Sequence, residues 1–356
     1  MPRNRQQMER RIPGLLPATG SRYLRCTSLL VEAGAELRLP GGYGIRRLST
    51  REASDLEALL RKRNVFARHS WENNFYLKRV AILAEQTVVE VRAEGDPNDA
   101  MAGASQRADL LEMLAVLCPT FGTNRSKLHR LLGITARPAG EVDLIHSDDL
   151  RYVRSHSRST HVEGGIPVDA RFIRRFERLA FPRLYDFCCE STALSSRVQS
   201  SLNWLLESRK EINAHAAVVK SVIALEMLLI SSESEPLART LSERMAFLLG
   251  SDPREREQVS SLVRSTYSVR SGVVHGGKRK TASFSERSLE SLDRLVLLAC
   301  LTIAANTTLW PSMEILCQWC ETERWSAPSL QAASPFPRSY LRRALELAEH
   351  RPQGRA

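Results

Sequence analysis

The chain has 356 residues, 43% of them hydrophobic and 26% charged, and it carries a formal net charge of +11. This composition is that of a globular protein long enough for two domains, each with its own core, and the positive charge favours a polyanionic partner. The most apolar run, residues 295–305, is far shorter than the roughly 20 residues of a membrane-spanning helix, and the basic N-terminus lacks the apolar core of a secretory signal. We therefore expect a cytoplasmic protein without a membrane partner.

Residues 1–20 are predicted to form a flexible basic arm, and residues 21–165 an α+β domain. A helix is predicted to begin after Ser49, because the Ser49 side chain can cap it while Glu52 reaches back to the Ser49 backbone. The glycine-rich segment 39–44 lacks the Lys-Ser/Thr of a phosphate-binding loop, so we predict a turn there. The other elements predicted in this domain are strands at 27–31 and 87–91 and a helix at 104–117.

The end of this domain, residues 133–169, is rich in Pro, Gly, His, Ser and Asp and is predicted to be linker-like. Its side chains of metal-ligand type have irregular spacing, which is more typical of solvated loop residues than of a metal site. The pair Cys317 and Cys320 has no second pair that would complete a zinc set, so we predict no metal, no cofactor and seven reduced cysteines. The metal-ligand types in the linker-like segment are His146, Asp148, Asp149, His156 and His161.

Residues 166–325 are predicted to form an all-α bundle, because helical periodicity dominates the sequence after Asp169. Asp169 can cap the first helix, and Ser283 with Glu286 forms a second predicted capping box, at the start of the last helix. The apolar face of the first helix comprises Phe172, Ile173, Phe176, Leu179 and Ala180, and further helices are predicted at 196–210, 214–231, 236–249, 253–275 and 284–309.

The tail, residues 326–356, begins with a proline-containing stretch and continues with an Arg-rich amphipathic segment at 339–350. Because proline interrupts a helix, the amphipathic segment is predicted to be a separate short helix. It docks either on the bundle of its own chain, which we favour, or on a partner.

Two Arg-x4-His pairs occur in the chain, Arg270 with His275 and Arg151 with His156. A histidine can take a proton from an RNA 2′-hydroxyl or give one to the leaving oxygen, and an arginine can stabilise the charge that builds on the phosphorus oxygens. Arg151 and His156 lie in the linker-like segment, whereas Arg270 and His275 follow a series of apolar helices. The surroundings therefore favour Arg270 and His275 as catalytic residues.

Three features precede or include this pair in a fixed order. They are Ala224-Leu225-Glu226 in an apolar helical run, Arg244 with Ala246, Leu248 and Leu249 in the next helix, and Tyr267 followed by Arg270-Ser271 and His275-Gly276. In this order the segment of about residues 200–310 resembles the Apea-like HEPN family. The resemblance implies a small helical bundle that dimerises, and in many members a metal-independent ribonuclease of a toxin or antiviral defence system. Other members only bind RNA or a protein partner.

Four basic or polar residues near the pair are candidates for RNA binding. The Ser271 hydroxyl can contact a phosphate. Lys278, Arg279 and Lys280 either contact the RNA backbone or are solvated residues that interact favourably with the helix dipole. The same dipole gives His275 a structural alternative, as a C-terminal capping residue.

Two further residues are candidates for support of the site. Glu226 is the one acid in its apolar run, and a buried Glu rarely stands unpaired, so we expect it to pair with Arg244 or Arg270 and, in a functional reading, to orient Arg270. Tyr267 lies one helical turn before Arg270. It either packs in the bundle, which we favour, or stacks on a base.

Residues five apart in an α-helix are rotated by about 140° and separated by about 7.5 Å along the axis. Arg270 and His275 therefore do not point to one spot in a regular helix. Either Gly272 and the Gly276-Gly277 end unwind the last turn, or a second subunit supplies the partner residue across a two-fold axis. The second arrangement agrees with the resemblance, because HEPN ribonucleases combine the two motifs of a dimer in one cleft, and it predicts a homodimer through the helical domain.

The sequence thus predicts an α+β N-terminal domain for recognition or regulation, with an unidentified protein partner as one option, and a C-terminal HEPN bundle. The predicted activity is metal-independent endoribonuclease action on RNA in antiviral defence or a stress response. A non-catalytic HEPN module that binds RNA or scaffolds a partner is the alternative. A DNA-binding regulator is a third hypothesis, which no helix-turn-helix signature supports.

Overall fold

The computed structural model describes residues 21–27, 29–32, 34–39, 42–63, 86–93, 97–123, 138–146, 153–161, 165–232, 235–274, 285–325 and 334–349. These residues are mostly helical, with a small antiparallel sheet near the N-terminus followed by helices. They divide into two compact units. The first falls within Met1–Thr27, Glu36–Ala108 and Ala139–Thr160, and the second within Ser28–Ala35, Asp109–Pro138 and His161–Ala356.

The described strands are β1 (Ser21–Cys26), β2 (Leu30–Val31), β3 (Leu37–Leu39), β4 (Tyr43–Arg47), β5 (Thr87–Ala93), β6 (Pro138–His146), β7 (Val153–His161) and β8 (Pro167–Val168). The helices are α1 (Thr50–Arg63), α2 (Pro97–Leu117), α3 (Ala170–Arg178), α4 (Phe181–Cys189), α5 (Ala193–Lys210), α6 (Ala214–Leu229), α7 (Leu237–Leu249), α8 (Pro253–Val274), α9 (Glu286–Ala305), α10 (Met313–Trp325) and α11 (Ser339–Glu349). A single 3₁₀ turn (Cys118–Phe121) follows α2.

The first unit contains a six-stranded sheet in the order β3-β4-β5-β1-β6-β7. Strand β1 lies in its interior and pairs antiparallel with β5 on one side and with β6 on the other. Tyr23, Ile45 and Val89 are fully buried, as expected for β-branched and aromatic side chains on the packed face of a sheet. The turn between β3 and β4 places Gly42 at φ 81°, where a side chain would be strained, and this confirms the predicted turn.

The prediction of a linker-like segment at 133–169 is wrong for its described part, because β6 and β7 form there. The residue pairs Tyr23 with Ile145 and Leu24 with Leu144 join β6 to β1. The alternation of Val142, Asp143 and Leu144 is only three residues long, because the apolar Ile145 follows Leu144 directly. The local pattern is therefore weak, and the pairing with β1 supplies the backbone hydrogen bonds. The predicted strand at 27–31 is also shorter than expected, since only β2 forms, in parallel pairing with β8.

Helix α1 begins where the capping box was predicted. The Glu52 backbone N–H donates to Ser49 Oγ at 3.2 Å, and the Ser49 N–H donates to Glu52 Oε2 at 3.0 Å. Arg46 of β4 joins this helix to the sheet, because its guanidinium contacts Glu52 at 2.9 Å and Glu90 of β5 at 2.6 Å. The reciprocal cap satisfies two backbone donors at the helix start, and the prediction is confirmed.

The second unit is a helical assembly around α9. Helix α9 packs against α4, α5, α6, α7, α8 and α11, and most of its side chains from Leu289 to Ala304 are fully buried. A helix that is apolar on all sides is a buried one, and the most apolar run of the chain accordingly lies in this buried helix. Its N-cap is Ser285, which accepts the Ser288 N–H, so the helix begins at Glu286 and not at 284; Ser283 lies outside the described residues. No described helix has the length and apolarity needed to cross a membrane.

The tail helix α11 packs on α9 of its own chain. Leu341 and Ala344 are fully buried, and Ser291 Oγ of α9 donates to the Ala344 carbonyl at 2.6 Å. Arg338, just before the helix, donates to the Leu249 carbonyl at 2.6 Å. These contacts confirm that the tail segment docks on its own bundle, as we favoured.

Candidate active site around Arg270

Arg270 lies just before the last turn of α8, a helix whose start is fixed by local side chains. The Glu255 N–H donates to Asp252 Oδ1 at 2.8 Å, while Glu255 Oε2 accepts from the Ser251 backbone N–H at 3.0 Å. Pro253 follows Asp252 and occupies the first helical position, where its missing N–H costs nothing. The helix is therefore anchored 17 residues upstream of Arg270 and runs without interruption to Val274.

The apolar face of α8 determines which way Arg270 points. Val269 is buried and Val273 half-buried in a cluster with Ala217 and Val218 of α6 and Leu289 of α9. Because successive residues of a helix are rotated by about 100°, Arg270 lies beside this seam and not in it. It thus reaches the side of α6 that carries Glu226.

Arg270 and Glu226 form an ion pair, with Arg270 Nη2 at 3.4 Å from Glu226 Oε1. Both side chains are about one-fifth exposed, at 21% and 18%. The pair is loose, because within the described residues Arg270 Nε and Glu226 Oε1 are buried without a hydrogen-bond partner. Burial raises the pKa of Glu226, and the positive charge of Arg270 offsets only part of this rise.

The Arg270 guanidinium also lies over the ring of Tyr267, with its central carbon 5.7 Å from the ring centroid. This distance is within the range of a cation–π contact. Tyr267 is half-buried, so it supports the arginine from one side while Glu226 holds it from another. The structure therefore brings three of the predicted site residues together.

Arg244, the other candidate partner of Glu226, has a different role. It is buried, and it donates to the Leu229 carbonyl and forms an ion pair with Glu235 at 2.8 Å. A second arginine, Arg197, donates to the Ile230 carbonyl. Both arginines satisfy carbonyl groups that the C-terminal end of α6 leaves without helical partners, so of the two candidates only Arg270 contacts Glu226.

Two arrangements were proposed to bring Arg270 and His275 together: an unwound last turn of α8, or a partner residue from a second subunit. Gly272 lies inside the regular helix and is buried, so it does not unwind the last turn up to Val274. Ser271 is half-buried beside it. The next residue, His275, lies outside the described residues, as do Gly276 and Gly277 and the basic residues Lys278, Arg279 and Lys280.

The candidate metal ligands of the 133–169 segment are only partly described. His146 is the last residue of β6, and His156 and His161 lie in β7, whereas Asp148 and Asp149 are outside the described residues. Among the described residues no three His, Cys, Asp or Glu side chains are grouped as metal ligands would be. Cys320 is buried in α10, and burial raises the pKa of its thiol.

A buried polar cluster in the helical unit was not predicted from the sequence. Asp293 of α9 accepts from Ser221 Oγ of α6 at 2.6 Å and from Arg209 Nη1 of α5 at 3.5 Å. Ser208 Oγ lies 2.6 Å from Ser221 Oγ and donates to the Ala217 carbonyl at 2.9 Å. The signal that could have found it is an acid, Asp293, within the apolar run of α9. Since all four side chains are buried, the cluster fixes the mutual register of three helices.

A comparison of the chain with protein-family models, with curated proteins and with solved structures finds no match.

Proposed function

We propose that the chain is a metal-independent endoribonuclease of HEPN type, with Arg270 and His275 as its catalytic residues. The observation that carries the proposal is that the Arg270 guanidinium is held in place but has N–H groups without an acceptor. Glu226 and Tyr267 hold its guanidinium at the end of α8, yet it makes no hydrogen bond to any described residue. A fixed guanidinium with free N–H groups is suited to bind a phosphodiester and the extra negative charge of its transition state.

The proposed reaction is transesterification within the RNA chain. His275 accepts the proton of the 2′-hydroxyl, the 2′-oxygen forms a bond to phosphorus, and the bond from phosphorus to the 5′-oxygen breaks. The leaving 5′-oxygen takes up a proton from the histidine of the second motif, or from the same histidine in its protonated form. The products are a cyclic phosphate and a 5′-hydroxyl, and Arg270 stabilises the negative charge on the phosphorus oxygens between them.

The regular helix up to Val274 favours the dimeric form of this site. A continuation of α8 by one residue would place position 275 about 140° around the axis from Arg270. Two copies related by a two-fold axis can bring Arg270 of one to His275 of the other. Exposed apolar side chains occur at the same end of the bundle, since Met227 follows Glu226 and Val274 lies one turn after Arg270, at 43% and 52% exposure.

Supporting roles are proposed for the remaining candidates. Glu226 orients Arg270, and Tyr267 packs against its guanidinium. Ser271, which follows Arg270, contacts a phosphate oxygen, and the basic run Lys278, Arg279 and Lys280 contacts the RNA backbone. Defence or stress response is the proposed setting, on the resemblance to the Apea-like HEPN family.

The test is cleavage of labelled mixed RNA in EDTA by the wild type and by the Arg270→Ala and His275→Ala variants. We expect cleavage by the wild type, a loss of roughly 10²- to 10⁴-fold for His275→Ala and of about 10²- to 10³-fold for Arg270→Ala. Circular dichroism establishes that each variant folds. The double variant Arg151→Ala/His156→Ala removes the other Arg-x4-His pair and is expected to cleave like the wild type.

An absence of cleavage by all proteins, or equal cleavage by all, would count against the proposal. The second candidate function is then a non-catalytic HEPN module that binds RNA or scaffolds a partner. One observation favours it: the charge of Arg270 is already opposed by Glu226, as in a purely structural ion pair. RNA binding that survives in EDTA without cleavage distinguishes this module from the nuclease.

A further inference from the structure

Helix α3 carries a stripe of four arginines that the sequence analysis did not single out. Arg171, Arg174, Arg175 and Arg178 stand at positions i, i+3, i+4 and i+7, which is the spacing of one helix face. Arg171, Arg174 and Arg178 are exposed and Arg175 is half-buried. We refer to these four residues as the arginine stripe.

The stripe is presented by a well-anchored helix. Asp169 caps it by accepting the Phe172 N–H at 2.6 Å. On the opposite face Phe172 and Phe176 are buried, and the Phe176 ring lies 4.9 Å from that of Phe181. Since the apolar face is already packed inside the helical unit, the helix cannot turn it towards a lipid surface, as an interfacial helix does.

Within the described part of the chain, no carboxylate lies within ion-pair distance of the arginine stripe. The four arginines line one open surface groove together with Glu177 and Tyr340 of α11. Four cations face one acid there. Unpaired like charges at helical neighbour positions repel one another. A bound polyanion would reduce this repulsion between the arginines.

Two further contacts position the groove against the 3₁₀ turn, and a partly buried arginine of α9 binds the same turn. The Arg175 guanidinium lies so close to Gly122 that a Cβ there would be 2.8 Å from its nitrogens. Tyr340 packs edge-on against Phe121, with the centroids 5.3 Å apart. Arg294 of α9 donates to the Thr120 carbonyl at 3.2 Å, and burial, together with the nearby charge of Arg343, lowers its pKa.

We propose that the arginine stripe and Tyr340 form a docking surface for the phosphodiester backbone of single-stranded RNA. Arginine suits this role because its planar guanidinium binds a phosphate through two parallel N–H bonds. The stripe is about 10 Å long, long enough for its guanidinium groups to contact more than one phosphate of the same strand. Tyr340 offers a ring at the edge of the groove for base stacking. The choice of RNA rests on the proposed function.

The test uses the full chain with His275→Ala as the parent protein, so that RNA is not consumed. Two variants are made from this parent, and each replaces three arginines. The stripe variant is Arg171→Gln/Arg174→Gln/Arg178→Gln, which leaves Arg175 against Gly122. The control variant is Arg38→Gln/Arg51→Gln/Arg254→Gln, which removes three exposed arginines from other elements and changes the net charge by the same amount. Binding of labelled single-stranded RNA is measured by fluorescence anisotropy in EDTA between about 50 and 200 mM salt.

We expect the stripe variant to bind RNA at least roughly tenfold more weakly. The slope of log affinity against log salt concentration should become shallower by about two, because each of the three lost phosphate contacts contributes about 0.7 to this slope for a single strand. The control variant should bind nearly as tightly as its parent. Single-stranded DNA of the same sequence should lose affinity in the same proportion, because phosphate contacts do not read the sugar. A third arm uses vesicles that contain anionic lipid.

Equal RNA affinity of the stripe and control variants would overturn the proposal. So would a loss of vesicle binding with unchanged RNA affinity, which would assign the stripe to a membrane surface. The readout is binding and not turnover, so it does not depend on the cleavage test. If the wild type cleaves no RNA but the stripe variant binds RNA more weakly than its parent, the proposed nuclease is contradicted and the docking surface is supported.

Discussion

At the scale of single residues, the position of Glu226 defines what Arg270 can do. A partly buried carboxylate opposite an arginine is costly unless the pair is well aligned, and this pair is not. A bound phosphate would accept hydrogen bonds from the N–H groups of Arg270 that Glu226 leaves without an acceptor. The loose geometry therefore leaves N–H groups of Arg270 for a second acceptor, as the proposed phosphodiester would be, while Glu226 keeps the guanidinium in place.

The raised pKa of Glu226 gives a prediction on stability and pH. Below the pKa of an exposed glutamate, about 4.3, the carboxyl is neutral in the folded and the unfolded chain. As the pH rises, the unfolded chain ionises first, whereas the folded chain must ionise a partly buried carboxyl group whose pKa is raised. The wild type should therefore lose unfolding free energy relative to Glu226→Gln as the pH rises through the raised pKa, which denaturant unfolding at several pH values measures.

The control for this measurement is Glu243→Gln, for which the opposite sign is expected. Burial alone would raise the pKa of Glu243, but the hydrogen bonds from Arg324 and Arg239 outweigh it and leave the pKa lowered. Its contribution to stability is present above the pKa of an exposed glutamate and is lost as the pH falls through the lowered one. The same pH trend for both variants would contradict the assignment of Glu226.

At the scale of elements, the short helix α3 depends on its cap, because a nine-residue helix is marginal without tertiary support. Asp169→Ala removes the acceptor of the Phe172 N–H and is expected to destabilise the helical unit by about 1 kcal/mol. Asp169→Asn keeps an oxygen acceptor and should lose only a fraction of this. Amide hydrogen exchange of α3 measures both, and equal protection in the two variants would show that the apolar face alone holds the helix.

The elements also show where sequence patterns were sufficient. The caps at Ser49 and Asp169 were predictable because donor and acceptor are three residues apart. Helix α8 was predicted to within one residue of its described end, and α11 likewise. Strand β6 was not predicted, because its partner β1 lies more than 110 residues away and a local window does not contain it. Strand β7 follows β6 at the edge of the sheet, so its place depends on the same distant pairing.

At the scale of the whole molecule, the proposed site requires two copies. We expect light scattering after gel filtration at micromolar concentration to return about twice the chain mass of 40.0 kDa. Val274→Lys should weaken the dimer without unfolding the chain, because Val274 is half exposed and lies on the Arg270 face of α8. Ile315→Lys, at an exposed apolar position of α10, is the matched control. A monomeric wild type would contradict the composite site.

The sequence by itself determined the helical character of the second half, the caps and the motif that contains Arg270 and His275, because each depends on residues within a few positions of one another. Only the tertiary structure decided that Arg270 and not Arg244 faces Glu226, and that the strand order is β3-β4-β5-β1-β6-β7. It also left three of the four arginines of the stripe exposed on α3, with the phenylalanines of this helix packed inside. These outcomes depend on which faces of distant segments pack together, and local periodicity does not encode that choice.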